Sequence, residues 1–132
     1  MAIIDLRHLV QPECDIVKVK GEKDGNDYSL PAMKTIRSSL YAEDGMENLN
    51  KKKDAMSTSE YGLEVSFVHI AAWMRSYYPE IDIEWVKDNI VSEKVMSKLV
   101  NYVIKIFYPD TMENDMQESS VSQKKTRKKG KS

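Results

Sequence analysis

The chain has 132 residues, enough for one domain with a modest core, and 41% hydrophobic and 31% charged residues are ordinary for a globular protein. A single cysteine, Cys14, excludes an internal disulfide framework, and we expect it to be an unreactive bystander. We expect no secretory signal, and no membrane span because no apolar run approaches 20 residues. The net charge of −1 combines an acidic body with a basic C-terminal end, which is not the pattern of a dedicated nucleic-acid-binding domain.

The N-terminal part has the pattern of a β-hairpin. Residues Asp15–Lys20 alternate between polar and apolar, which is typical of a half-buried strand. The cluster Gly21–Asn26 predicts a turn, in which Gly25 can take a positive φ at low cost. Asp27–Leu30 then predicts the return strand. A two-stranded hairpin is not stable alone, so we expect it to pack on the following helices through Val17, Val19, Tyr28 and Leu30.

A first helix is predicted from Pro31 to Asp44. Pro31 suits a first helical position, where its missing N–H has no consequence, and Gly45 suits a helix stop. The polar segment Met46–Ser57 is either a helix extension or a flexible loop. Its three adjacent lysines, Lys51–Lys53, are interpreted as a solvated face.

The richest stretch, Thr58–Pro109, contains both tryptophans, both phenylalanines and five of the seven tyrosines. Ser57 and Glu60 have the capping-box spacing, and we predict a central helix over 59–78 that ends before Pro79. Its apolar residues cover more than one face, which predicts burial on several sides. We predict a short helix, Ile83–Asn89, capped by Asp82, and a last helix capped by Ser92 that ends at Pro109.

No residue pattern in the chain is typical of an enzyme. His69 lies among apolar residues of the central helix and has no partner carboxylate or nucleophile at a recognisable spacing. We therefore expect a hydrogen-bonded core histidine. The sequence also lacks a phosphate-binding loop and a cluster of metal-binding residues, so we expect neither catalysis nor a metal or cofactor.

The aromatic side chains of the helical region are either core residues or a docking surface. Tyrosine and tryptophan serve at interfaces as rigid anchors with a polar tip. Tyr78 and Tyr108 each precede a proline at a predicted helix end, where partial exposure is expected. The candidate partner-binding residues are Tyr77, Tyr78, Trp85, Phe107 and Tyr108.

The C-terminal segment 110–132 is predicted to be a disordered tail, polar first and then basic. The last nine residues carry six positive charges and the whole chain carries −1, so the rest carries −7. The sequence thus predicts a mainly α protein, with a small helical domain over 1–109, an N-terminal β-hairpin and this tail. The acidic part would suit a basic partner.

The layout resembles the small tail assembly chaperones of long-tailed phages that infect Gram-positive hosts. The resemblance covers roughly 16–109 and includes the Tyr28-Ser-Leu-Pro31 segment, a helix, a polar connector, and a helical pair enclosing Ile83-Glu-Trp-Val-Lys-Asp-Asn89. It implies a non-enzymatic protein that binds the tape-measure protein, with tail tube subunits as a further partner. It also implies action in the host cytoplasm and absence from the mature virion.

Two questions stay open at this level. The alternative function is a small nucleic-acid-associated or regulatory phage protein that uses the lysine-rich tail, through weak electrostatic contacts without sequence choice. Self-association is also open, because a second copy could cover part of the apolar central helix.

Overall fold

A computed structural model describes residues 2–7 and 14–109 as a two-stranded hairpin followed by four α-helices. The mainly helical fold with an N-terminal hairpin is confirmed. The predicted tail, 110–132, lies outside the described residues. The elements are β1 (Ile16–Lys20), β2 (Asp27–Pro31), α1 (Ile36–Asn50), a 3₁₀ turn (Lys53–Ala55), α2 (Thr58–Tyr77), α3 (Ile83–Asn89) and α4 (Glu93–Phe107).

The hairpin has the predicted faces. Its strands are antiparallel, with Val17 opposite Leu30 and Val19 opposite Tyr28. Three of these four side chains are buried and Val17 is half-buried, so this face joins the core with the helices. Gly25 in the connecting turn has a φ of 72°, a conformation that glycine adopts without a steric penalty.

The predicted start of the first helix at Pro31 is wrong. Pro31 ends β2, where it pairs with Ile16, and its carbonyl accepts hydrogen bonds from the backbone of Met33 and the indole of Trp73. The pairing with Ile16 and the bond from Trp73 hold Pro31 in the strand, and the Met33 bond closes a tight turn directly after it. The helix begins only after Thr35, whose hydroxyl accepts from the Ser38 backbone while the Ser38 hydroxyl accepts from the Thr35 backbone.

The predicted stop at Gly45 is also wrong, since α1 continues to Asn50. A Cβ placed on Gly45 would lie 2.6 Å from the Val68 Cγ1 atom. Glycine is therefore needed here for the close approach of α1 to α2. The segment Met46–Ser57 begins as an extension of the helix, one of the two predicted alternatives, and then forms the 3₁₀ turn. Lys51–Lys53 are exposed to solvent, as expected.

Helix α2 is the centre of the core, as predicted. Seven consecutive residues, Val68–Met74, are buried, and Ser57 caps the helix by accepting a 3.2 Å hydrogen bond from the Glu60 backbone. Trp73 is fully buried. In the described residues, no helix is long and apolar enough to cross a membrane.

Helices α3 and α4 lie where they were predicted, but only one has the predicted cap. Asp82 accepts from the Trp85 backbone at 2.8 Å. Ser92 occupies the N-cap position of α4 and its side chain makes no capping bond. A carboxylate from the hairpin, that of Glu22, instead accepts from the backbone N–H groups of Val91 and Ser92.

Candidate binding groove

Three of the five candidate aromatic residues join the helices to the hairpin or to the segment that follows it. Tyr77 donates to the Met33 carbonyl at 3.0 Å, and Tyr78 donates to the Ser29 carbonyl and accepts from its N–H. Trp85 donates from its indole to the Asp24 carboxylate at 2.9 Å. Burial, with a smaller effect of Cys14, raises the pKa of Tyr77. These contacts give the three side chains a structural role within the fold.

The other two candidates lie at the end of α4, around His69. The Phe107 ring packs edge-on against the imidazole, with 5.1 Å between centroids, and the Tyr108 hydroxyl lies 2.9 Å from Nε2. The Nδ1–H donates to the Val65 carbonyl. His69 is therefore buried with both nitrogens bonded, as predicted. The five aromatic residues thus form two separate groups, and only Tyr108, 49% exposed, presents a large open surface.

A polar cluster fastens the hairpin turn to α3. The Asp24 carboxylate accepts from the Tyr28 hydroxyl at 2.7 Å and from the indole of Trp85, while Asn89 accepts from the backbone of Lys23 and Asp24. The backbone N–H of Asn26 and then the Tyr28 hydroxyl lower the pKa of Asp24. Burial, followed by the bond to Asp24, raises the pKa of Tyr28. Because these groups bond to one another, the cluster stabilises the fold by joining the hairpin turn to α3. We call it the Asp24 clasp.

A groove with a volume of about 430 Å³ lies between α1, α2 and α3. Its floor consists of Gly45 from α1 and Val68, Ala71 and Ala72 from α2. Small side chains on a helix surface allow a second backbone to approach closely. Across the groove, α3 is tied to α2 by Lys87, whose ammonium lies 3.0 Å from Glu64.

The rim of this groove is mainly acidic. Asp44, Asp82 and Glu84 line it with exposed carboxylates, of which Asp82 also caps α3. Arg75 lines it as well, and its guanidinium stacks 4.6 Å from the centroid of the Tyr41 ring. The groove thus combines a narrow apolar floor with three acidic groups and one basic group. We call it the α1–α2–α3 groove.

A second, shallower groove lies on the other side of α1, with a volume of about 180 Å³. Phe107 of α4 and the following Tyr108 line it together with Met46 of α1. Lys34 and Glu43 contribute opposite charges to its edge, so it shows no preference for one sign. The last described residues of the chain therefore leave the fold beside this groove.

The residues of the α1–α2–α3 groove were not predicted from the sequence. Their position depends on how α1 crosses α2, and the interpretation of Gly45 as a stop concealed this crossing. The usable signal was a glycine inside an otherwise helical pattern, which often marks a close helix contact.

Comparisons with known proteins leave the family undetermined. No protein-family model, curated protein or solved structure matches the chain significantly. The features that bear on a function are therefore the groove, the charge distribution and the resemblance in layout.

Proposed function

We propose that this chain is a non-enzymatic phage tail assembly chaperone that binds a helical, basic segment of the tape-measure protein. The observation that carries the proposal is the α1–α2–α3 groove, with its floor of small side chains and its acidic rim. An amphipathic helix docks by laying its apolar face into such a groove. Tail tube subunits are proposed as a further partner.

The floor would take the apolar stripe of the client helix. The groove, with a volume of about 430 Å³, would receive leucine- or isoleucine-sized side chains of the client above Ala71 and Ala72. A tape-measure protein is long and helical, so such a stripe stays exposed to water until the tail tube forms around it. Covering this surface would prevent aggregation.

The acidic rim would orient the client helix in the groove and speed up its association. Asp44 on α1 and Glu84 on α3 are exposed on opposite sides of the groove, so lysine or arginine side chains flanking the apolar stripe can pair with both. Each exposed ion pair contributes only about 0.2–1 kcal/mol. Because dissolved ions screen such pairs, the affinity for the client would fall as the salt concentration rises. A chaperone that must later release its client benefits from such weak contacts.

Co-expression of the full chain with a tape-measure protein tests this function. The expected result is a soluble complex that co-purifies, compared with an insoluble client when it is expressed alone. A client that stays insoluble and unbound would contradict the proposal. The proposal places the protein in the host cytoplasm and outside the finished particle, so mass spectrometry of purified virions should not detect it.

A further inference from the structure

We propose that the basic C-terminal segment of this chain, Lys124–Lys131, occupies the α1–α2–α3 groove of its own molecule and competes with the client. The contact between the segment and the groove can form without any client. Its role as a competitor of the client rests on the proposed function. Charge, reach and side-chain chemistry support this contact.

The charges of the segment and of the groove are opposite. The segment carries six positive charges within eight residues, whereas the rest of the chain carries −7. Three carboxylates and one guanidinium line the groove. Since the segment is part of the same molecule, its local concentration at the groove is high even when each contact is weak.

The chain is long enough to reach. Tyr108 lines the shallow groove on one side of α1, and the α1–α2–α3 groove lies on the other side of the same helix. The 15 residues from Pro109 to Lys124 span at most about 50 Å when extended. A helix with its side chains is only about 10–12 Å across, so the connection can pass around α1 without strain.

The side chains of the segment match the groove. Lysine and arginine can lay their apolar stems along apolar surface while the charged head stays at the edge. The stems would pack against Tyr41 and Ile83, which line the groove half-buried, and the heads would meet Asp44 and Glu84. Glycine at 130 adds no side chain, which lets the backbone follow the narrow floor.

Such a contact would keep the groove covered until a client displaces it. If the segment occupies the groove about nine-tenths of the time, removing its charge should raise the apparent client affinity about tenfold. A client with a longer apolar stripe would win, because it adds contacts with the floor that lysine stems cannot make.

A paramagnetic label on the full chain tests the contact directly. The chain carries Cys14→Ser and Ser132→Cys, with a nitroxide at position 132, and amide signal intensities are compared between the oxidised and reduced label. We expect selective loss of intensity at Gly45, Ala71 and Ile83, with Lys18 on the hairpin as a reference. The loss should disappear when the six basic residues of 124–131 are changed to Gln.

The groove side has a matched pair of variants. Asp44→Asn with Glu84→Gln should abolish the intensity loss, whereas Glu47→Gln with Glu80→Gln, which removes the same charge outside the groove, should keep it. Equal intensities in the wild-type and six-Gln chains would overturn the contact. Intensity loss only between differently isotope-labelled copies would overturn the intramolecular form. DNA binding without any loss would favour the nucleic-acid role.

The outcome is separable from that of the proposed function. Intensity loss in the groove without any client complex would keep the contact and reject the chaperone. A client complex that depends on Asp44 and Glu84, without intensity loss, would reject the contact and keep the chaperone.

Discussion

The carboxylate of Glu22, in the hairpin turn, accepts a 3.0 Å hydrogen bond from the backbone N–H of Ser92, 70 residues further along the chain. The same oxygen accepts from the N–H of Val91. An acidic group at a helix N-terminus also interacts favourably with the helix dipole. The hairpin thus fixes the start of α4, which the sequence assigned to a serine cap.

Replacing Glu22 by Gln should destabilise the fold. The variant keeps the side-chain length but loses the charge that strengthens both hydrogen bonds, and we expect a loss of about 1 kcal/mol because the site is exposed. Urea unfolding followed by circular dichroism measures it. Glu80→Gln, at an exposed position outside any helix, is the control and should change stability little. Equal midpoints for both variants would contradict this role of Glu22.

The contacts within the Asp24 clasp predict that the stability of the fold decreases at low pH. The pKa of Asp24 is lowered from its ordinary value of 3.8, first by the Asn26 N–H and then by the Tyr28 hydroxyl. A carboxyl group with a lowered folded pKa stabilises the fold above 3.8, and this contribution disappears as the pH falls through the folded pKa.

Asp24→Asn should therefore be less stable than the wild type at pH 7, and this difference in stability should be smaller at pH 3. Thermal unfolding at the two pH values measures it. Asp27→Asn is the control, because this exposed carboxylate is near the same turn without the clasp contacts. A gap that is equal at both pH values would show that the charge of Asp24 is not involved.

Two glycines predict opposite results for the same substitution. Gly45→Ala gains helix propensity, but its new methyl group would lie within 2.6 Å of a rigid valine, and we expect a net loss of about 1 kcal/mol or more. The new methyl group of Gly62→Ala in α2 would meet no neighbouring element within 4 Å in the described part of the chain, and this variant should gain about 0.5–1 kcal/mol. Denaturant midpoints measure both.

A second substitution checks the cause at Gly45. Val68→Ala alone removes buried methyl groups and destabilises, but in combination with Gly45→Ala it makes room for the new methyl group. We expect the double variant to be more stable than the sum of the single effects predicts. Strict additivity would mean that Val68 is not the group that excludes a side chain at position 45.

The elements that the sequence predicted well are those with local signals. The boundaries of α3 follow from Asp82 and the apolar spacing after it, and the start of α2 follows from Ser57. The errors arose where a distant partner decides the local structure. Pro31 is held extended by the indole of Trp73, and Gly45 stays helical because α2 passes close to it.

The candidate site was the least predictable part for the same reason. Aromatic residues near prolines are reasonable anchors. Tyr78 and Trp85, however, find their partners in the hairpin and Tyr77 in the segment just after it, up to 61 positions away along the chain. The groove needs three helices in a defined arrangement. Only the acidic character of the chain outside its basic C-terminal end was visible in the composition.

The affinity of the full chain for a tape-measure protein, compared between two charge-reversal variants, tests the central proposal most directly. Asp44→Lys with Glu84→Lys reverses the groove, and Glu47→Lys with Glu80→Lys makes the same change in net charge outside it. We predict that the groove variant binds about tenfold or more weakly and that the control binds like the wild type. Equal affinity of the two variants would contradict binding in the α1–α2–α3 groove.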